Sequence, residues 1–104
     1  MQLSPKQRAH LKSLAQRIKP TLQVGKEGAS PSTASAILEA LNTRELLKVK
    51  VLDSAPASAR ETGDELARQL ADAALVQVIG RTLVFYRPHP ERPEIRLPPR
   101  TATE

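Results

Sequence analysis

The chain has 104 residues, with sixteen lysines and arginines against eleven acids for a formal charge of +5. That length holds one domain with a modest core, and the lack of cysteine excludes a disulfide framework and a thiolate metal site. No apolar run reaches membrane-spanning length and the start lacks the apolar core of a secretory signal, so no membrane partner and a cytoplasmic location are expected.

Ser4 can cap a helix that Pro5 opens, and Leu11, Leu14, Ala15 and Ile18 follow at the spacing of one buried stripe until Pro20 stops it. Arg8, Lys12 and Lys19 take one flank of that stripe, and Lys6, His10 and Arg17 take the other. The first 26 residues thus carry six basic side chains, ending at Lys26, and no acid. A single-sign field of this kind attracts a polyanion.

Thr21 to Val24 reads as a short strand, and Gly25-Lys26-Glu27-Gly28 follows it. The two glycines let backbone N–H groups approach a phosphate closely. A second helix, capped by Ser30 and opened by Pro31, aims its positive end at the same loop. Lys26 adds a charge there, which Glu27 opposes. Ala34, Ile37, Leu38 and Leu41 make the apolar stripe of this helix.

Leu46 to Leu52 alternates Leu47, Val49 and Val51 with Lys48 and Lys50, the pattern of a strand with one covered face, its lysines turned away from the covering helices. Ser58-Ala59-Arg60-Glu61 has capping-box spacing, and Leu66, Ala67, Leu70 and Ala74 continue a third helical stripe. Gly63 weakens that helix by up to about 1 kcal/mol relative to alanine. Leu75 to Ile79 and Thr82 to Tyr86 are strands joined by Gly80-Arg81, a type II′ hairpin sequence. Beyond Arg87, five prolines up to Pro99 keep the chain out of helix and central strand.

This order predicts an α/β sandwich, α-β-α-β-α-β-β, around a four-stranded mixed sheet, with the last strand pair antiparallel and right-handed crossovers placing the helices on one face. Residues 1–97 form the single domain, and residues 98–104 are expected to be a mobile tail.

Acids concentrate between Asp53 and Asp72, whereas the first quarter and the stretch from Arg81 to Arg100 are basic. Lys48 and Lys50 either keep a sheet face wet or extend a basic track, and Arg81, Arg87, Arg92 and Arg96 lengthen it. Phe85 and Tyr86 point to opposite sides of their strand, Phe85 into the core and Tyr86 as the one stacking surface. The candidate nucleic-acid contacts are Lys6, Arg8, Lys12, Arg17, Lys19, Gly25, Lys26, Glu27, Gly28, Lys48, Lys50, Arg81, Tyr86 and Arg87.

Two distant histidines make no metal cluster, and the glycine loop lacks the Gly-Lys-Ser/Thr ending of a nucleotide-binding loop. A non-enzymatic binding protein is expected, with no cofactor, metal or small-molecule substrate. Three partner classes remain open: RNA, nucleic acid in general as for a chaperone or DNA-binding protein, and another protein docked on the sheet face or proline-rich end.

Four blocks in order resemble the CRM domain, named for chloroplast RNA splicing and ribosome maturation, in its stand-alone bacterial YhbY-like form. They are Leu3-Ser4-Pro5-Lys6-Gln7-Arg8, Gly25-Lys26-Glu27-Gly28, Glu45-Leu46-Leu47-Lys48-Val49-Lys50-Val51, and Val76 through Pro88. The resemblance implies an RNA-binding domain with a fold similar to the C-terminal domain of translation initiation factor three. It also implies association with ribosomal RNA in precursors of the large ribosomal subunit. The family's Gly-x-x-Gly loop falls on Gly25 and Gly28. Here the loop follows a strand, whereas in KH domains it joins two helices, so KH base-recognition geometry does not carry over.

Overall fold

A computed structural model describes residues 2–99 of the chain. Helix α1 spans Pro5–Ala15, strand β1 Leu22–Val24, helix α2 Pro31–Leu41, strand β2 Leu46–Val51, helix α3 Ala59–Gln69, strand β3 Ala74–Ile79 and strand β4 Thr82–Tyr86. The element order is the expected one. Each helix begins where its cap signal lies: the side chains of Ser4, Ser30 and Ser58 accept from the backbone N–H groups of Gln7, Thr33 and Glu61. Gln7 and Glu61 return the bond to their cap residues and close two capping boxes.

Two helix ends come earlier than the apolar spacing predicts. Helix α1 stops at Ala15, and the chain tightens into a turn in which Arg17 and Ile18 donate to the carbonyls of Leu14 and Ala15. Arg17 and Lys19 therefore lie in the connection to β1 instead of on helix flanks. Ala74, expected on the third helix, opens β3. Gly63, expected to weaken that helix, sits buried inside it, where a Cβ would meet the Leu75 and Leu83 side chains at 3.0 Å. The glycine lets α3 approach the sheet closely.

The sheet order is β1-β2-β4-β3. Strands β1 and β2 are parallel, while β4 is antiparallel to both of its neighbours. The hairpin inserts β4 between β2 and β3, so both helical crossovers run in the same direction across the sheet and place α2 and α3 on one face. Gly80 takes φ +57° and Arg81 does not share a positive φ, as a II′ turn requires.

The helices do not all lie on one face, which corrects the expectation. Val24, Ile37, Leu41, Leu47, Val49, Val51, Leu66, Leu83 and Phe85 form a core under α2 and α3. Leu11, Ala15, Leu46, Val76, Val84 and Tyr86 form a second core under α1. Helix α1 precedes the first strand and belongs to no crossover, so handedness does not dictate its side. The apolar residues alternating to the second face of β4 demand a cover, and α1 supplies it.

The proline-rich segment completes this second layer. Ile95 and Leu97 pack against the α1 core. Gln7 Nε2 donates to the Pro98 carbonyl at 3.0 Å, which ties down a residue expected in the mobile tail. Positions 100–104 of that expected tail lie outside the described residues.

Candidate nucleic-acid interface

The strand register builds one basic surface. Leu46, Lys48 and Lys50 share the α1 side of β2, where they pair with Tyr86, Val84 and Thr82 of β4. Those β4 residues stand opposite Ala74, Gln77 and Ile79 of β3. Helix α1 packs on Leu46, Val76, Val84 and Tyr86, leaving the far row of Lys50, Thr82 and Ile79 uncovered, with Gln23 beside Lys50. Lys50 and Gln23 are exposed, Lys48 and Thr82 half-buried, and Ile79 is 47% exposed. Lys48 and Lys50 thus turn away from α2 and α3, as expected, yet share their face with α1.

Lys12 of α1 lines a groove along the β3 edge with Arg8, Gln77, Val78 and Arg60 of α3. Exposed Lys6, Arg17 and Lys19 surround it in sequence, with His10 half-buried. All six lysines of the chain precede position 51. Among the described residues, every ion pair uses an arginine and none uses a lysine. No acid among the described residues therefore neutralises a lysine charge.

The opposite layer has the other sign. Helices α2 and α3 together carry Glu39, Glu61, Asp64 and Glu65 against Arg60 and Arg68, and both arginines pair with acids on their own helix. Hydrogen bonds from Arg68 and Gln69, together with the Arg68 charge, hold the Glu65 carboxyl below its ordinary range. The sheet separates the acid-free basic helix α1 from this acidic layer.

Several expected contacts are engaged internally. Arg8 Nη1 donates to the carbonyls of Leu75 and Val76 at 2.9 and 2.6 Å. Arg87 donates to Asp72 at 2.8 Å and to Asn42 at 2.9 Å. Arg81 pairs with Asp53 at the hairpin rim. Tyr86 corrects the expectation most plainly: it is 2% exposed in the second core, so its ring offers no stacking surface. Burial, reinforced by the Glu45 charge, pushes its phenol above the ordinary range.

The glycine loop sits at the rim where β1 and β2 end. Gln23 pairs with Lys50 and Val24 with Val51, so the bend begins directly beyond the open lysine row. Lys26 and Glu27 are exposed, but Gly28 is buried at φ +58° and its N–H donates to the Gly25 carbonyl at 3.0 Å. A Cβ on Gly28 would meet Pro56 at 2.8 Å, whereas one on Gly25 would only touch Ser54 at 3.4 Å. Gly28 is thus required by the fold, and Gly25 is the glycine open to a ligand. The Thr33 N–H is likewise consumed by Ser30. The loop offers fewer free donors than two unencumbered glycines would.

One polar residue of structural weight carries no sequence signal beyond an acid opening a strand. Glu45, 8% exposed, accepts from the backbone N–H groups of His89, Glu94 and Ile95 at 2.7, 2.8 and 2.7 Å. Burial alone raises a carboxyl, but here those three donors and the His89 charge prevail and hold it below its ordinary value. The proline-rich segment is fastened through this carboxylate.

A family model of the CRS1/YhbY (CRM) domain matches residues 3–87. The chain is 38% identical over 96 residues to a Bacillus subtilis protein named probable RNA-binding protein YqeI, covering 92% of this chain and 99% of that one. It is also 38% identical over 96 residues to an RNA-binding protein of Haemophilus influenzae, with 92% and 95% covered. The solution structure of SAV1595 from Staphylococcus aureus, described as a candidate RNA-binding protein, superposes with a TM-score of 0.71 at 40% identity, covering 93% of this chain and all of that one.

Proposed function

The chain belongs to the CRS1/YhbY (CRM) domain family, and from that premise we propose that it is a non-enzymatic RNA-binding protein that associates with ribosomal RNA in large-subunit precursors. The observation that carries the reading is the one-sided charge: six lysines without an internal ionic partner among the described residues, four of which, Lys6, Lys12, Lys48 and Lys50, lie on the layer opposite the acids of α2 and α3. Such a surface releases counterions from a phosphate backbone and orients the protein on it. Lys12, Lys48 and Lys50 form its centre, Lys6, Arg17 and Lys19 its helix side, and Lys26 with Gly25 its rim. Arg8, Arg81 and Arg87 serve mainly to hold the fold in place. The names of the relatives from Bacillus subtilis and Haemophilus influenzae support RNA as the ligand.

The test is crosslinking in cells followed by mapping of the attached RNA, with gradient sedimentation in parallel. Crosslinks concentrated on large-subunit ribosomal RNA, with protein migrating in the precursor fractions, are expected. Crosslinks scattered over messenger RNA would remove the ribosomal part of the reading, and equal recovery of DNA would turn it into a general nucleic-acid binder.

A further inference from the structure

The surface just described lacks what a single-strand binder uses. Proteins that hold unpaired RNA stack its bases on exposed rings, worth about 1–3 kcal/mol per base. This chain has one phenylalanine, one tyrosine and no tryptophan, and both rings are buried, at 0% and 2% exposure. The open row of the sheet presents instead Gln23, Lys50, Thr82 and Ile79. An aliphatic side chain at the edge of that row gives a base no π-face to stack on.

What the row does present suits a preformed backbone. Lys48 and Lys50 stand two residues apart on one strand face, about 6.6 Å at 3.3 Å per residue. That separation is of the order of the distance between successive phosphates on one strand. Gln23 and Thr82 flank Lys50, and Gln77 lies across the covered Val84, in the groove of Lys12; none of the three side chains has a hydrogen bond within the protein among the described residues. Amide and hydroxyl groups there can both donate to and accept from a 2′-hydroxyl. A surface that binds through its cations also gains more from a duplex. Each neutralised phosphate contributes about 0.9 to the salt slope on a double helix against about 0.7 on a single strand. A flexible single strand further loses conformational freedom that a helix has already given up.

Resting on the RNA-binding reading above, we infer that the RNA taken by this face is a double-stranded segment, held through its phosphates and 2′-hydroxyls and not through its bases. The ligand is thus recognised by shape and sugar chemistry. Gln23, Gln77 and Thr82 are the residues that distinguish RNA from DNA, and the lysines set affinity for both.

Fluorescence anisotropy at one fixed salt concentration tests this with the full chain and five labelled probes: an RNA duplex of about 16 base pairs, each of its single strands, the DNA duplex of the same sequence, and a second RNA duplex of different base composition. The RNA duplex is expected to bind at least about tenfold tighter than either strand and than the DNA duplex. Two duplexes of different base composition are expected to bind alike. The variant Gln23→Ala/Gln77→Ala/Thr82→Val should bring RNA and DNA duplex affinities together while its thermal unfolding stays that of the parent. Single strands that bind as tightly as the duplex, or affinity that follows base identity, overturn the inference and leave the RNA-binding reading intact. Failure to bind any of the RNAs overturns both.

Discussion

The guanidinium of Arg8 reaches from helix α1 to the edge of the sheet and donates to the Val76 carbonyl at 2.6 Å. The same nitrogen also donates to the Leu75 carbonyl. Two successive carbonyls face one partner because the β3–β4 register shifts between Leu75 and Gln77. A bulge of that kind interrupts the alternation of an ordinary strand. Arg8 thereby blunts an edge strand and fixes the helix that carries the basic surface.

Removing that guanidinium should cost stability. Arg8→Ala leaves two part-buried carbonyls without their charged donor, and a loss of about 1–3 kcal/mol is expected by urea unfolding. Arg8→Lys should recover only part of it, because the lysine ammonium ends one bond short of the position that Nη1 occupies. If Arg8→Ala unfolded like the parent but bound RNA much more weakly, the structural assignment of Arg8 would be wrong.

The two loop glycines should behave differently. Gly28→Ala places a Cβ at positive φ and 2.8 Å from Pro56, and a loss of roughly 1–3 kcal/mol is expected in thermal unfolding. Gly25→Ala should unfold within about 1 kcal/mol of the parent, since its Cβ meets only ordinary contacts. Gly25→Asp should fold equally well and weaken RNA binding by adding a negative charge at the rim. Parent-like affinity in Gly25→Asp would take the loop out of the interface.

Charge reversal on the lysines should separate binding from folding. Lys12→Glu with Lys50→Glu is expected to weaken RNA binding at least about tenfold, without altering the melting temperature beyond a surface effect. With about five phosphates neutralised, the parent should show a slope of log affinity against log salt near −4. The double variant should lower the magnitude of that slope by about 1 for each phosphate it no longer neutralises. A slope near zero in the parent would show that charge does not drive the complex.

Acid should loosen the proline-rich segment before it unfolds the sheet. The Glu45 carboxyl lies below its ordinary value in the folded state. Its contribution is therefore present above the ordinary glutamate value and disappears as pH falls through the lowered one. Amide exchange at Glu94 and Ile95, followed by NMR as pH is lowered, should accelerate across that acidic window. Glu45→Gln should show fast exchange at these amides at neutral pH, with a stability loss of about 2 kcal/mol. Unchanged protection in Glu45→Gln would mean that the apolar contacts of Ile95 and Leu97 alone retain the segment.

Most of the fold was legible because its signals are local. Serine caps, the Gly80 turn and the alternation of Leu47, Val49 and Val51 each act over a few residues. The side taken by α1 was also written in the chain, in a form easily passed over: Leu83-Val84-Phe85-Tyr86 is apolar at every position, so both faces of β4 must be covered. Reading Tyr86 as a stacking surface missed that consequence. The engagement of Arg8, Arg81 and Arg87 was not legible, since their partners Val76, Asp53 and Asp72 are chosen by the sheet order and by a bulge.

The amino-acid order by itself determined the element sequence, the basic first quarter and the absence of cysteine, because caps, periodicity and composition depend only on near neighbours and on counting. Tertiary structure alone decided which cations remain free for a ligand. A charge is neutralised by whatever the fold brings within a few ångströms, and inserting β4 between β2 and β3 set those neighbours. Arg8, Arg81 and Arg87 were thereby drawn into internal bonds, and the lysines were left without an acidic partner among the described residues.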